Sequence, residues 1–262
     1  MRILIKGAGD LATGVAWELH KDGHQVVMTD LAVPLAVRRA VSCSRAIYDG
    51  IAWIENLVAE RAENITQVEE ILADRHIPVL VDPEAKIRLS FHPDVIVDCI
   101  MAKRNVNTHI DDAGLVVAIG PGFTAGVDCH CVIETMRGPT LGACLWEGRA
   151  LPNTGVPGEI AGYTIERLIK ASADGRMEAA VRIGEVVEKG QIVAFTGGCP
   201  VYSQLHGLVR GMLQDGVMVK KGLKIGDVDA RLDRKLAYTI SDKSHKIGCG
   251  VRAAIERYEK EQ

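Results

Sequence analysis

Three short runs limit what this chain can become: Val79-Leu80-Val81, Val95-Ile96-Val97 and Leu115-Val116-Val117-Ala118-Ile119. They are rich in β-branched residues, almost continuously apolar, and too short for helices. Such strands suit a parallel sheet that is covered on both faces. Two earlier strands precede them, at residues 2–6 and 25–29, the second ending in Asp30. Between those two, residues 10–21 carry Leu11, Val15 and Leu19 at a spacing of four, the stripe of an amphipathic helix. Asp22-Gly23 stops it. Residues 66–75 repeat the pattern with Val68, Ile71 and Leu72. Strands alternating with helices predict an open α/β sheet. Weaker signals suggest a short helix over 34–41, a strand over 45–48 and a further strand over 51–58. Only 4% of residues are aromatic, so the core has to be built from Val, Ile, Leu and Ala.

The first strand runs into GAGDLATG, residues 7–14. A dinucleotide fingerprint needs a glycine for the tight turn, a second for close approach of the pyrophosphate, and a small third residue for helix packing. Gly7, Gly9 and Ala12 stand at those places. The helix that follows offers free N–H groups and the positive end of its dipole to phosphate. Asp30, 21 residues beyond Gly9, is placed to accept ribose hydroxyls and to repel a 2′-phosphate. NAD or another nucleotide lacking that phosphate therefore fits better than NADP. Against a ligand stands Asp10, which enters the helix start and could cap it. Gly120 and Gly122 end a later strand, where ligands of open sheets bind. These features predict a Rossmann-like nucleotide-binding domain over residues 1–122.

The texture changes after Gly122. Residues 150–162 read as loop, 162–171 as helix, and 177–230 as short strands and turns. The last segment, 241–261, reads as helix with Ser241 or Asp242 as its N-cap. A repeat with an offset of 32 residues lies in this half: Gly184, Val187, Lys189 and Gly190 match Gly216, Val219, Lys221 and Gly222. The two halves resemble the barrel-sandwich hybrid of biotinyl and lipoyl domains. Those domains carry a modified lysine between the halves, whereas no lysine occurs here from Gln191 through Val219. No covalent biotin or lipoate is expected. Residues 123–262 are thus predicted to form a mixed, β-rich domain with that module near 177–230 and a C-terminal helix.

Residues 127–134 read VDCHCVIE. With a strand period of two, Val127, Cys129, Cys131 and Ile133 share one face and Asp128, His130 and Glu134 the other. The cysteines then pack as small apolar groups. The opposite face offers a polar site, in which His130 would be a general base and Asp128 or Glu134 its orienting carboxylate. Side chains two residues apart on a strand sit roughly 7 Å from one another, which is far for a shared metal, so no metal site is assigned. Arg137 could pair with phosphate. The segments 241–245 and 248–250 bring polar and flexible residues to a helix start.

The net charge of −3 gives no basic field for nucleic acid. No apolar run approaches the ~20 residues of a membrane span, and the start shows no secretory signal pattern. Seven cysteines, an odd number without a C-x-x-C pair, read as reduced thiols of a cytoplasmic protein.

Several stretches together resemble one family: ILIKGAGDLATGVA at 3–16, AIGPGFTAGVD at 118–128, VIETMRGPTLG at 132–142, NTGVPGEIAGYTIERL at 153–168, LHGLVRGML at 205–213, KIGDVDARL at 224–232 and ISDKSHKIGCGVRAAI at 240–255. They resemble the YqeB-type accessory proteins of selenium-dependent molybdenum hydroxylase systems. That resemblance implies a maturation role, with a molybdenum hydroxylase as client. It also implies a ligand that is a nucleotide or a molybdenum cofactor bearing a cytosine dinucleotide. It carries over no catalytic residue. Two other functions suit the same residues. One is an NAD-dependent oxidoreductase, whose proton donor would be His130. The other is a non-catalytic interaction module whose glycine turn holds nothing.

Overall fold

The computed structural model describes residues 1–261. They form two compact units, and the division does not fall at residue 122. The first unit comprises Met1–Pro34, Ser42–Asn153 and the segment from Ile240 onward; the second comprises Leu35–Val41 and Thr154–Thr239.

The first unit is built in chain order from β1 (Arg2–Lys6), α1 (Asp10–Lys21), β2 (Gln25–Asp30), α2 (Arg45–Asp49), β3 (Ile51–Ile54), β4 (Leu57–Ala62), α3 (Ile65–Ala73), β5 (Ile77–Val81), α4 (Arg88–Phe91), β6 (Val95–Asp98), β7 (Leu115–Ile119), β8 (Cys131–Ile133) and β9 (Cys144–Leu145). All nine strands join one sheet in the order β3-β4-β5-β2-β1-β6-β7-β8-β9. Neighbours from β4 to β8 run parallel, while β3 and β9 close the two edges antiparallel. The apolar runs behave as expected, since every residue of β6 and β7 is buried. On one face Leu4, Val27, Leu80 and Ile96 pack with Val68 and Leu72 of α3 and Phe91 of α4. Each such side chain contributes about 1.5–3 kcal/mol of transfer free energy.

The second unit contains β10 (Leu168–Lys170), β11 (Gly175–Ala179), β12 (Val186–Val187), β13 (Ile192–Thr196), β14 (Cys199–Tyr202), β15 (Gly207–Met212), β16 (Met218–Val219), β17 (Lys224–Asp229) and α5 (Lys235–Tyr238). Two antiparallel sheets result, β10-β17-β15-β12 and β14-β13-β11-β16. The repeat is visible in them: β11, β12 and β13 correspond to β15, β16 and β17, and the two-residue strands β12 and β16 are exchanged between the sheets. Gly184, Gly190, Gly216 and Gly222 all have φ between +84° and +91°, a conformation that glycine adopts without Cβ strain, which accounts for their recurrence at the turns.

The chain then returns to the first unit as α6 (Asp242–Lys260), capped by Ser241, whose Oγ accepts the Ser244 N–H at 3.1 Å. α6 packs along α1. Contacts advance in the same direction on both helices, from Gly14 with Ser244, through Glu18 with His245 at 3.0 Å, to Asp22 with Arg252 at 3.8 Å. The helices are therefore parallel, with both N-termini at one end. Glycines allow the close approach: a Cβ on Gly14 would collide with Ser244, and one on Gly248 with the Gly14 carbonyl oxygen; on another side of α6, a Cβ on Gly250 would collide with the Gly142 carbonyl oxygen, in the loop before β9. Gly250→Ala should destabilise the fold by ~1–2 kcal/mol in urea unfolding. The ~1–3 kcal/mol cost of overpacking outweighs the ~1 kcal/mol that alanine gains in a helix. Equal or greater stability of the variant would show that the contact of α6 with the Gly142 loop is loose.

The expected fold class needs correction. The structure is a mixed α/β protein with one large, parallel-rich sheet, not a Rossmann-like N-terminal domain followed by a separate β-rich part. The sheet passes beyond residue 122 to take in β8 and β9, both its edges are antiparallel, and α6 comes from the far end of the chain. The barrel-sandwich assignment is not established by the repeat. Locally, 45–48 is helical: Ala46 and Ile47 bury themselves and Gly50 ends the turn at φ +81°. Residues 51–58 form not one strand but the start of the β3–β4 hairpin, turning at Glu55 with φ +53°. Of 34–41 only Arg39–Val41 winds, as a 3-10 turn. Over 162–171 only Ile165–Arg167 winds, as a 3-10 turn, and pairing with β17 draws Leu168–Lys170 into a strand.

Candidate functional site

β1 lies between β2 and β6, and the chain leaves β1 to opposite sides of the sheet in succession. Such a reversal is a topological switch point, and open sheets bind ligands in the crevice beyond the carboxyl ends of the strands that flank it, here β1 and β6. GAGDLATG forms one wall. Gly7 sits at φ +93°, and a Cβ there would stand 2.8 Å from the Cys99 carbonyl oxygen, so the fold itself requires this glycine. Gly9 is different. It is the N-cap of α1 at φ −70°, no side chain caps the helix there, and a Cβ would meet nothing within 4 Å. Ala8 and Ala12 are buried. Asp10 is the first residue of α1 rather than its cap.

Asp30 closes β2 beside this loop. Its Oδ2 accepts the Ala8 N–H at 2.9 Å and its Oδ1 the Leu31 N–H at 2.7 Å. Burial raises its pKa, while the two N–H bonds pull it back down. Asp30 thus holds the glycine loop against the strand end, and each oxygen keeps a second lone pair for a hydroxyl. Gly120 and Gly122, at φ +76° and +115°, form the turn after β7. A Cβ on Gly120 would press Thr135 Oγ1 at 2.8 Å, and one on Gly122 the Arg104 backbone. Both are needed for packing.

The polar triplet of the 127–134 segment is dispersed. His130 stands at the start of β7 and β8, at the end of the strands opposite the glycine loop. Its Nδ1 accepts the Val116 N–H at 3.0 Å, and burial lowers its pKa. Asp128 secures a loop, accepting the Thr124 N–H at 2.7 Å and Asn105 Nδ2 at 3.2 Å. Glu134 lies past β8 at the crevice end, where it accepts the N–H groups of Thr135, Met136 and Leu151 at 2.7, 2.7 and 2.8 Å. Only residues 131–133 form strand, so the period of two places no common site. Cys129 and Cys131 are fully buried, and burial pushes the Cys129 thiol up to about 12. Among the described residues no three His, Cys, Asp or Glu side chains are arranged to hold a metal ion. No helix among them is long and apolar enough to cross a membrane.

Two groups at the crevice carry no motif. Lys6 ends β1 and Asp98 ends β6, 2% and 1% exposed, with Nζ and Oδ2 3.8 Å apart. Thr108 Oγ1 bridges them, 2.5 Å from Lys6 Nζ and 2.6 Å from Asp98 Oδ2, and the Asn107 carbonyl takes a further bond from Lys6 at 2.8 Å. Burial lowers the Lys6 pKa, against the opposing pull of Asp98. The second group is at the start of α6. Burial and the neighbouring Arg137 lower the Lys243 pKa, while Asp10, Glu134 and Asp242 raise it. Arg137 itself forms a fork with Asp242 at 2.8 and 3.1 Å. The two parallel helix N-termini thus share their end of the unit with a half-buried ammonium and a guanidinium. The stretch ISDKSHK quoted above contains Lys243, but only the α1–α6 pairing brings it beside Asp10.

No protein-family profile matches the chain. It is 41% identical over 253 residues, 97% of its length, to the Escherichia coli protein named uncharacterized protein YqeB. That likeness supports a YqeB-type protein. The chain spans 47% of that relative's length. Among solved structures, an aspartoacylase family protein from Mesorhizobium loti aligns with 87% of this chain and 84% of its own, at 12% identity and a TM-score of 0.27. A succinylglutamate desuccinylase/aspartoacylase from Rhodobacter sphaeroides covers 87% and 84% at 13% identity and a TM-score of 0.26. The product-bound ectoine utilization protein EutE from Ruegeria pomeroyi covers 78% and 57% at 13% identity and a TM-score of 0.24. None superposes closely enough to bear on the chemistry of this chain.

Proposed function

We propose that this chain is an accessory factor in the maturation of a selenium-dependent molybdenum hydroxylase. Its switch-point crevice holds a nucleotide or, as cargo, a molybdenum cofactor bearing a cytosine dinucleotide. The maturation role rests on the family resemblance of the seven stretches. The ligand class rests on Gly9. Gly7, Gly120 and Gly122 are needed by backbone or packing, whereas Gly9 is needed by neither and leaves open space before an uncapped helix end. Close approach of a phosphate would use that space. In this reading Gly7, Gly9 and Ala12 shape the turn, Asp30 takes ribose hydroxyls, Gly120 and Gly122 keep the facing turn low, and Lys243 offsets phosphate charge.

The oxidoreductase reading loses its proton donor, because His130 is bound to Val116 at the other end of the strands. Thermal unfolding with NAD, NADP, CTP, ATP and extracted molybdenum cofactor tests the ligand. The cytidine nucleotide or the cofactor, at ~100 times its dissociation constant, should stabilise the protein by about 2.7 kcal/mol. Gly9→Trp should abolish that shift and still fold, since the position has ordinary φ and open space. No shift with any of the five would refute a nucleotide ligand and favour the interaction module. The maturation role is tested separately: the cofactor-loaded protein should restore activity to a cofactor-free hydroxylase, and Gly9→Trp should not.

A further inference from the structure

Of the two edges of the large sheet, β9 has only Cys144 and Leu145, whereas β3 offers Ile51–Ile54. The β3–β4 hairpin turns through Glu55 and Asn56, between the paired residues Ile54 and Leu57. Across a two-residue turn the flanking residues bond each other, and bonding then alternates along the strand. The Arg61 N–H, on the Gly50 carbonyl at 2.8 Å, keeps that phase. Ala52 and Ile54 therefore bond toward β4, while the N–H and C=O groups of Ile51 and Trp53 point outward. Among the described residues none bonds these outward groups.

The same two residues carry exposed side chains. Ala52 and Ile54 are buried, whereas Ile51 is 38% and Trp53 68% exposed, both on one face of the strand. Val58 of β4, half-buried opposite Trp53, extends that apolar surface. Natural edges are blunted by proline, by lysine or by other charges. Residues 50–54, GIAWI, have none of these.

We propose that β3 pairs antiparallel with β3 of a second copy of this chain, about a two-fold axis beside Ala52, and so joins two large sheets edge to edge. In that register Ile51 of each copy stands opposite Trp53 of the other. Those are the residues with outward backbone groups, so each pair exchanges both of its N–H···O bonds. Their side chains share one face, and the indoles and isoleucines of the two copies close over the seam. An axis beside Ile51 or Trp53 would match only one outward residue with its like. Charge favours the same arrangement. Glu55 follows β3 at one end; at the other, Arg45 precedes it on α2 and Arg61 lies across from Gly50. Antiparallel pairing sets the Glu55 end of one copy against the Arg45 and Arg61 end of the other. Asp49 and Glu63 stand there too, each already bonded to one of those guanidinium groups, at 2.5 and 2.6 Å, so Glu55 meets no unpaired carboxylate.

An aromatic side chain buries about 150–250 Å². Two tryptophans and two isoleucines therefore fall short of the ~1,200 Å² at which stable interfaces begin. The dimer is accordingly weak and concentration-dependent. It is also closed, because the contact is isologous and the two-residue β9 edge adds no further copy.

Sedimentation equilibrium and residue-resolved amide hydrogen exchange on the full chain test this, between about 5 μM and about 500 μM, the span in which weak complexes form. The mass should rise toward twice the monomer value. The Ile51 and Trp53 amides should become protected as concentration rises, and those of Ala52 and Ile54, bonded to β4 throughout, should change far less. Trp53→Lys should weaken association by at least roughly tenfold, because it removes the central anchor and charges the edge. Trp53→Pro deletes the outward N–H without touching a bond to β4 and should also be monomeric. Both replace an exposed side chain and should fold like the parent. A parent protein that stays monomeric at the highest concentration would overturn the proposal. So would a dimer that survives both substitutions, or one that leaves the Ile51 and Trp53 amides unprotected, since either must use another surface.

Discussion

Asp98→Ala should cost about 3–5 kcal/mol of unfolding free energy, the scale for leaving a buried charge without its partner. Lys6 and Asp98 are almost wholly removed from water, and Thr108 and the Asn107 carbonyl complete the bonding of Lys6. The substitution takes away the anion nearest to Lys6, leaving the more distant Asp112, and also removes an acceptor of the Ile100 N–H at 3.0 Å. Urea unfolding near neutral pH measures the loss, and a cost under ~1 kcal/mol would sink the account. Combining it with Lys6→Met should recover much of the loss, because an apolar pair of similar volume needs no compensation. The pH dependence has a definite sign. Burial depresses the Lys6 pKa in the folded protein, so between that value and the higher unfolded one the unfolded chain binds more protons. Stability then rises with pH through that window. Without Asp98, which pulls the pKa upward, the window widens toward lower pH. The deficit of Asp98→Ala should therefore shrink as the solution becomes alkaline.

Asp227→Ala should be comparably severe, at about 3–5 kcal/mol, in the second unit. Its two oxygens lie 3.2 and 3.1 Å from Arg167 Nη2, and Oδ2 is 3.7 Å from Arg210 Nη1. The three residues are 2–8% exposed. Arg210 is the extra residue where the β15–β17 register shifts, which aims its side chain at this carboxylate. Arg167 Nε already lacks a hydrogen-bond partner, so losing Asp227 leaves that buried guanidinium without its carboxylate, while Arg210 keeps Asp229 at 4.0 Å and the Leu236 carbonyl. Asp227→Asn keeps one acceptor and should cost less. Arg167 Nη1 also holds the Gly158 carbonyl at 3.0 Å. Limited proteolysis should accordingly find the exposed 154–163 loop cut faster in Asp227→Ala. Equal cutting of both proteins, with equal stability, would mean that Arg167 is satisfied without the carboxylate.

The site divides along the same physical line as the fold. The loop from Gly7 to Ala12 could be located from residues alone, because strand, turn and helix are contiguous and each obeys local rules. Asp30 could be placed next to it for the same reason, although the bonds it makes to Ala8 and Leu31 recast it as a brace for the loop. His130 and Glu134 could not be separated from residues alone. Alternation reports which face a side chain shares, not which end of the sheet it occupies, and the strand between them has only three residues. Lys6 and Asp98 offered no motif: one ends a strand and the other ends a strand 92 residues later.

The chain's own residues determined the buried parallel strands, the amphipathic α1 and α3, the Ser241 cap and the 32-residue repeat. Hydrophobic periodicity, capping and left-handed turns act over a few residues and are written locally. Tertiary structure alone decided that β8, β9 and α6 complete the first unit, that 45–49 winds while 168–170 extends, and that the glycine loop and His130 lie at opposite ends of its sheet. Those outcomes depend on which distant segments pair, and pairing is set by the free energy of burying whole faces together rather than by any one stretch of residues.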